Sequence, residues 1–74
     1  MIRIMRGKIY KFRVNCKSPA SKFKKGELLK IITINESYVY GIVVDRNQSF
    51  YIKKKYFDEF VQHATRDEKI IAKL

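Results

Sequence analysis

Residues 23–31 read FKKGELLKI. A basic pair, Lys24-Lys25, precedes Gly26. An acid, Glu27, follows, and then apolar residues stand on either side of Lys30. Glycine accepts the backbone angles of a tight turn, and charged neighbours keep such a turn in water. Beyond the turn, Leu29 and Ile31 share one face of an extended chain while Lys30 takes the other. The stretch therefore predicts an exposed turn at Lys25-Gly26 that runs into a half-buried strand over 27–34.

The flanking segments continue the pattern. Residues 8–14, KIYKFRV, alternate: Tyr10, Phe12 and Val14 point one way, Lys11 and Arg13 the other. Residues 15–25, NCKSPASKFKK, hold Ser, Pro, Asn and lysines, and predict a long loop whose Phe23 returns to the core. Downstream, Asn35-Glu36-Ser37 reads as a turn. YVYGIVV over 38–44 is a third strand, rich in β-branched and aromatic residues. Gly41 at its middle predicts a close backbone approach or a sharp bend. A turn over 45–48 leads to a fourth strand over 49–53. The expected core is Tyr10, Phe12, Leu29, Ile31, Val39, Val43 and Ile52.

The period then changes. Over 56–64 the apolar Phe57, Phe60, Val61 and Ala64 recur at helical spacing. Thr65-Arg66-Asp67-Glu68 has the form of a capping box, in which a hydroxyl and a carboxylate satisfy free amides at a helix start. Ile70, Ile71 and Leu74 would line one side of a last short helix. So few turns do not recover the cost of nucleation, so this helix must pack on the rest of the chain, pack on a partner, or fray. Short strands, a long first loop and close turns predict a mainly β fold. The expectation is one domain over 1–74: a small antiparallel barrel of four to five strands over about 8–57, and a short helical C-terminal tail over about 56–74.

Two segments resemble SH3 domains. FKKGELLKI is similar to the basic-Gly-acid turn that starts their second strand after the long first loop. Tyr51-Ile52, followed after three residues by Tyr56-Phe57, is similar to the place where a strand ends in Tyr-Ile and a tight helical turn carries another Tyr. The resemblance implies an SH3-like barrel. It does not extend to the peptide-binding chemistry of that family, which uses an aromatic-rich first strand, an acidic first loop and a Trp opening the third strand. Here the first strand is KIYKFRV, the loop is basic, Lys53 replaces the Pro that normally follows Tyr-Ile, and Trp is absent. Proline-rich peptide recognition is therefore not expected.

Composition narrows the function. The chain has 74 residues and is 46% hydrophobic, with five Tyr and five Phe, which is the make-up of a folded domain. Its single cysteine, Cys16, excludes an internal disulfide and fits a reducing compartment. No apolar run approaches a membrane span. Arg3, Arg6, Lys8, Lys11 and Arg13 interrupt the first residues, unlike a signal peptide. The expected location is cytoplasmic. His63 is the sole histidine and lies far along the chain from Cys16. The adjacent acids Asp58-Glu59 and Asp67-Glu68 point apart on a helix and suit helix N-termini better than metal. Gly7, Gly26 and Gly41 are scattered and make no phosphate loop. Neither an enzyme nor a bound cofactor or metal is expected.

Charge supplies the positive signal. The net charge is +10, and residues 1–30 carry +9 of it against +1 for residues 31–74. Such asymmetry points to an acidic partner, protein or nucleic acid, although heavy use of Lys, Ile, Asn and Tyr is also what an AT-rich genome encodes. The candidate partner-binding residues are Lys11, Arg13, Lys17, Lys22, Lys24 and Lys25, which would fall on one side of the barrel, together with Lys53, Lys54 and Lys55. The lysine run is equally a solvated turn that protects an edge strand. Tyr38, Tyr40 and Tyr51 are expected to point outward. They can anchor a protein or stack on bases, unless the C-terminal helix covers them. Ile70, Ile71 and Leu74 are the candidate oligomerisation residues, since so short a chain gains core by forming a homodimer.

In overall character the chain resembles small early proteins of phages that infect low-GC Gram-positive bacteria. The Twort-like group among them stops host replication by binding the DNA polymerase sliding clamp. That resemblance implies a non-enzymatic inhibitor of a host DNA-replication protein, acting in the host cytoplasm. It rests on size, charge and residue usage, and no motif specifies the clamp. The alternative is an SH3-like module that binds nucleic acid directly, as such barrels in ribosomal and transcription proteins do.

Overall fold

The computed structural model describes residues 4–18 and 22–72, the side chains of residues 71 and 72 excepted. The fold is mainly β. Strands β1 (Ile9–Phe12), β4 (Leu28–Ile34), β5 (Tyr38–Val43), β6 (Gln48–Lys53) and β7 (Val61–His63) form one antiparallel sheet. Two-residue strands β2 (Cys16–Lys17) and β3 (Lys22–Phe23) form a separate hairpin. The order across the sheet is β6-β5-β4-β1-β7, so β6 and β7 stand at its two ends rather than closing it into a hydrogen-bonded barrel.

The opening stretch behaves as its chemistry requires. Gly26 sits at a positive φ of 93° and donates its amide to the Phe12 carbonyl at 2.9 Å, which fastens the turn to β1. Glu27 then accepts the Lys24 amide at 2.6 Å. Leu29 and Ile31 point into the core and Lys30 into water. Between Ile31 and Thr33 the pairing with β5 shifts by one residue, leaving Ile32 as the extra residue and 44% exposed. That bulge moves the inward position from 33 to 34, so Ile34 lies opposite Val39. The turn before β5 is held by Asn35, whose Oδ1 accepts the amides of Ser37 and Tyr38 at 2.9 and 2.7 Å.

The core gathers all seven expected residues, Tyr10, Phe12, Leu29, Ile31, Val39, Val43 and Ile52, with Phe23, Phe50, Phe57 and Val61. Phe12 stacks on Phe23 at 3.8 Å between ring centroids, and Phe50 meets both rings edge-on. Burial pushes the Tyr10 hydroxyl's pKa upward, against a backbone hydrogen bond with Met5. At Gly41 the close approach is real. A Cβ there would collide with the Lys30 carbonyl oxygen and lie 3.0 Å from two ring carbons of Phe50. A smaller cluster of Ile9, Leu28 and Ala64 lies apart from the main core.

Three expectations need correction. The loop over 15–25 contains the β2–β3 hairpin, because Cys16 pairs with Phe23 as that ring turns inward. The first strand is shorter than 8–14: Arg13 and the half-buried Val14 lie beyond β1. The largest correction concerns 56–64, where no continuous helix forms. Lys54–Tyr56 is a 3-10 turn, α1 (Phe57–Phe60) is one turn long, and Val61–His63 is strand β7. Phe12, Lys11 and Tyr10 of β1 pair with Val61, Gln62 and His63. The open edge of β1 offers three residues of ladder, and the chain takes it in place of another helical turn. The helical turn after Tyr51-Ile52 that the SH3 resemblance implies is present at 54–56.

The capping box forms as read. The Thr65 amide donates to Glu68 Oε1 at 2.8 Å, and the Glu68 amide donates to Thr65 Oγ1 at 3.2 Å. Helix α2 (Arg66–Ala72) follows and packs against β1.

Candidate partner-binding surface

Strand alternation decides which side chains reach the surface. Val39, Gly41 and Val43 on β5, with Phe50 and Ile52 on β6, face the core. Tyr38, Tyr40, Tyr51 and Lys53 must then face outward. The register sets Tyr40 opposite Tyr51 and Tyr38 opposite Lys53. The three tyrosine rings form a triangle with centroid separations of 5.6, 6.1 and 6.1 Å. Tyr40 and Tyr51 are 39% and 43% exposed, and Tyr38 is half-buried. Helix α2 packs on β1, and Tyr40 and Tyr51 stay exposed, so the described part of the tail does not cover them.

Beside the tyrosines lies the lysine run. The Lys54 amide donates to the Ser37 carbonyl at 2.8 Å, which pins the start of the 3-10 turn to the β4–β5 connection. Glu36, Ser37, Tyr38, Lys53, Lys54 and Lys55 line a depression of about 410 Å³. The Lys55 ammonium sits 5.1 Å from the centre of the Tyr56 ring.

The structure sorts the remaining basic residues. Lys11 pairs with Glu68, Nζ to Oε2 at 3.1 Å, so its charge is matched within the chain. Arg13 donates from Nη1 to the Asp58 carbonyl at 3.2 Å and remains exposed. Lys17, Lys22 and Lys24 border a second depression of about 450 Å³, with Asn15, Cys16, Phe23 and Arg46. Lys25 stands at the turn, its amide donated to Asn15 Oδ1 at 2.8 Å. Lys11 thus lies on the α2 side, while the hairpin lysines cluster together.

Arg46 organises that second depression. Its Nε and Nη2 donate to the two Glu27 oxygens, each at 2.9 Å, in a forked ion pair. Nη2 also donates to the Lys22 carbonyl at 3.0 Å, and Nη1 to Gln48 Oε1 at 2.6 Å. A guanidinium suits such a planar, two-armed contact, whereas a lysine would satisfy one arm. In the sequence, Arg46 falls in a turn over 45–48 and Glu27 opens the strand over 27–34. Nothing in their local spacing signals a contact across 19 positions. Tyr56 and Phe60, whose spacing in the sequence suggests a helix, also border the tyrosine face.

Among the oligomerisation candidates, Ile70 is 54% exposed. The Ile71 side chain and Leu74 lie outside the described residues. Among the described residues no three of His, Cys, Asp and Glu come together as a metal site would require, and no helix is long and apolar enough to cross a membrane.

Comparison with known proteins finds no family model, curated relative or solved structure that matches the chain.

Proposed function

We propose that the protein is a non-enzymatic binding module that engages an acidic protein through the Tyr38–Tyr40–Tyr51 cluster and the lysines around it. The observation that carries this reading is the open tyrosine triangle with Lys53, Lys54 and Lys55 at its border. Tyrosine supplies large, rigid contact area with a polar tip, which is why it recurs at interface centres. Exposed lysines at the rim favour an acidic partner and steer its approach. The net charge of +10 acts in the same direction.

The biological role that fits such a module is phage-type inhibition of a host DNA-replication protein. The sliding clamp, named by the overall resemblance of the chain, is the first candidate. Pairing of two copies through the Ile70 side of α2 belongs to the same proposal, as does a cytoplasmic location.

The test is a titration at about 0.15 M salt, where exposed charges beyond about 8 Å are screened. The ligands are the clamp, other acidic host proteins, duplex DNA and single-stranded RNA. The expected result is a complex of fixed stoichiometry with one protein, and DNA or RNA affinity no better than about 10⁻⁴–10⁻⁶ M. Tyr40→Ala and Tyr51→Ala should each weaken the protein complex by about thirtyfold, the effect of losing a hot spot of about 2 kcal/mol. Reversing Lys24, Lys25 and Arg13 together should lower mainly the on-rate. Submicromolar DNA or RNA binding, with no protein captured from nuclease-treated lysate, would overturn the reading in favour of the nucleic-acid module.

A further inference from the structure

We infer that the partner is held through an extended acidic segment bearing one apolar or aromatic anchor, laid in a trough that runs from Phe60 past Tyr56 and Tyr38 to Lys54. This inference rests on the acidic-protein reading above and specifies which part of the partner is gripped.

The trough spans two neighbouring depressions. One, of about 280 Å³, is bordered by Cys16, Phe23, Tyr56 and Phe60 together with Tyr38, Tyr51, Ile52 and Lys53. The other, of about 410 Å³, is the lysine-lined depression already described. Tyr38 and Lys53, a cross-strand pair, border both, so the two are immediate neighbours on the surface. Their chemistry differs from end to end. In the first, Phe23 and Ile52 are 3% and 4% exposed and belong to the core, so an entering side chain meets packed carbon. Tyr56 and Phe60 stand over it with ring centroids 6.4 Å apart and ring planes at 55°. An apolar side chain placed there loses water on several sides, and burial of that kind favours binding in proportion to area.

The second half is cationic. Lys53, Lys54 and Lys55 border it, and Glu36 is the sole acid among its lining residues. The hydrogen bond from the Lys54 amide to Ser37 fixes the backbone of the run, so only the lysine side chains have to be ordered when a ligand arrives. Carboxylates match this half, and a basic segment would be repelled. An extended chain advances about 3.3 Å per residue and can follow such a channel. The flat acidic face of a folded domain would touch its rims and leave the aromatic end empty. One segment satisfies both halves only if its anchor and its acids sit a few residues apart.

The experiment is selection from a random-peptide display library against the folded full chain at about 0.15 M salt. Enriched peptides should carry an aromatic residue or leucine near a pair of Asp or Glu residues. A synthetic copy of one should bind at least tenfold more weakly to Tyr56→Ala, and likewise to the Lys53→Glu/Lys54→Glu double variant. Replacing its anchor by glycine should cost a similar factor. Lys30→Glu, at an exposed strand position that lines neither depression, should leave binding within twofold. Tyr56 is 38% exposed and the lysines are exposed, so these variants should fold, which circular dichroism checks.

Enrichment of proline-rich or basic peptides, or no enrichment, overturns the inference. So does an acidic peptide that Lys30→Glu weakens as much as Lys53→Glu/Lys54→Glu, because that is charge attraction without a trough. The broader reading fails separately. If an acidic protein is still captured by Tyr56→Ala but lost with Tyr40→Ala, the trough falls and the tyrosine surface stands. If neither peptide nor protein binds, both fall.

Discussion

Strands β4 to β6 and the segment over 57–72 cover the same β1 strand and core from different sides, yet they are built on different logic. In β4–β6 each strand pairs with its neighbour in sequence, and inward residues come at every second position. One bulge corrects the phase. In the later segment the buried Phe57, Val61 and Ala64 belong to a helical turn, a strand and the approach to α2. Their spacing of about a turn is met without a continuous helix. Periodicity records which positions are buried; it records the path between them only when one element spans the whole pattern.

The comparison implies unequal sensitivity to substitution, and the largest contrast should lie between Leu29 and Ile70. Leu29 is wholly buried in the main core, so Leu29→Ala should cost about 2–5 kcal/mol. That is much of the stability of a domain this small. Ile70 is 54% exposed, and Ile70→Ala should fall within about 0.5 kcal/mol. Urea melts of both variants would break the contrast if Leu29→Ala melted with the wild type.

A smaller loss is expected at Gly41. Its neighbours are the Lys30 backbone and the Phe50 ring, and the backbone side cannot yield without disturbing the β4–β5 ladder. Gly41→Ala should cost about 1–3 kcal/mol, as overpacking does. A variant as stable as the wild type would mean that the two strands can part there without penalty.

The smallest effect should be confined to α2. The Thr65 amide, then Lys11, hold the Glu68 carboxyl below its ordinary value of 4.5. A carboxylate with a lowered pKa stabilises the folded form above its ordinary value. That contribution is lost as pH falls through the lowered one. Helical NMR shifts of α2 should therefore fade in acid before those of β4 and β5 change. Thr65→Ala should weaken the helix at neutral pH by about 0.5–2 kcal/mol, the cost of a lost cap. An α2 signal that persists in acid as long as the sheet does would show that packing alone holds the helix.

How much of this was legible follows from the same contrast. The core positions over 10–52 could be read because strand alternation leaves one face to bury. The capping box was legible because its partners lie three residues apart. Strand β7 was not, because three residues pairing with a distant edge carry no period of their own. The outward turn of Tyr38, Tyr40 and Tyr51 followed from the buried set by parity. The joining of Tyr56 and Phe60 to that face did not, because it depends on where the chain goes after β6. The Arg46–Glu27 fork lay outside any local pattern for the same reason.

The pairing of β1 with β7 also bears on the order in which the molecule assembles. Tyr10 lies opposite His63, and Arg13 reaches the Asp58 carbonyl across 45 positions of chain. Joining β4, β5 and β6 requires only short turns, whereas the β1–β7 seam must close a loop that contains all three. Ordering so much intervening chain delays the reward from contacts made at its ends. The hairpins therefore have the kinetic advantage, and the seam is the expected late event. Until it closes, Phe57 and Val61 have not covered their side of the aromatic core, and β1 shows an unpaired edge. A second molecule at that stage can supply its own β7 to the vacant edge, and the product is a strand-exchanged pair.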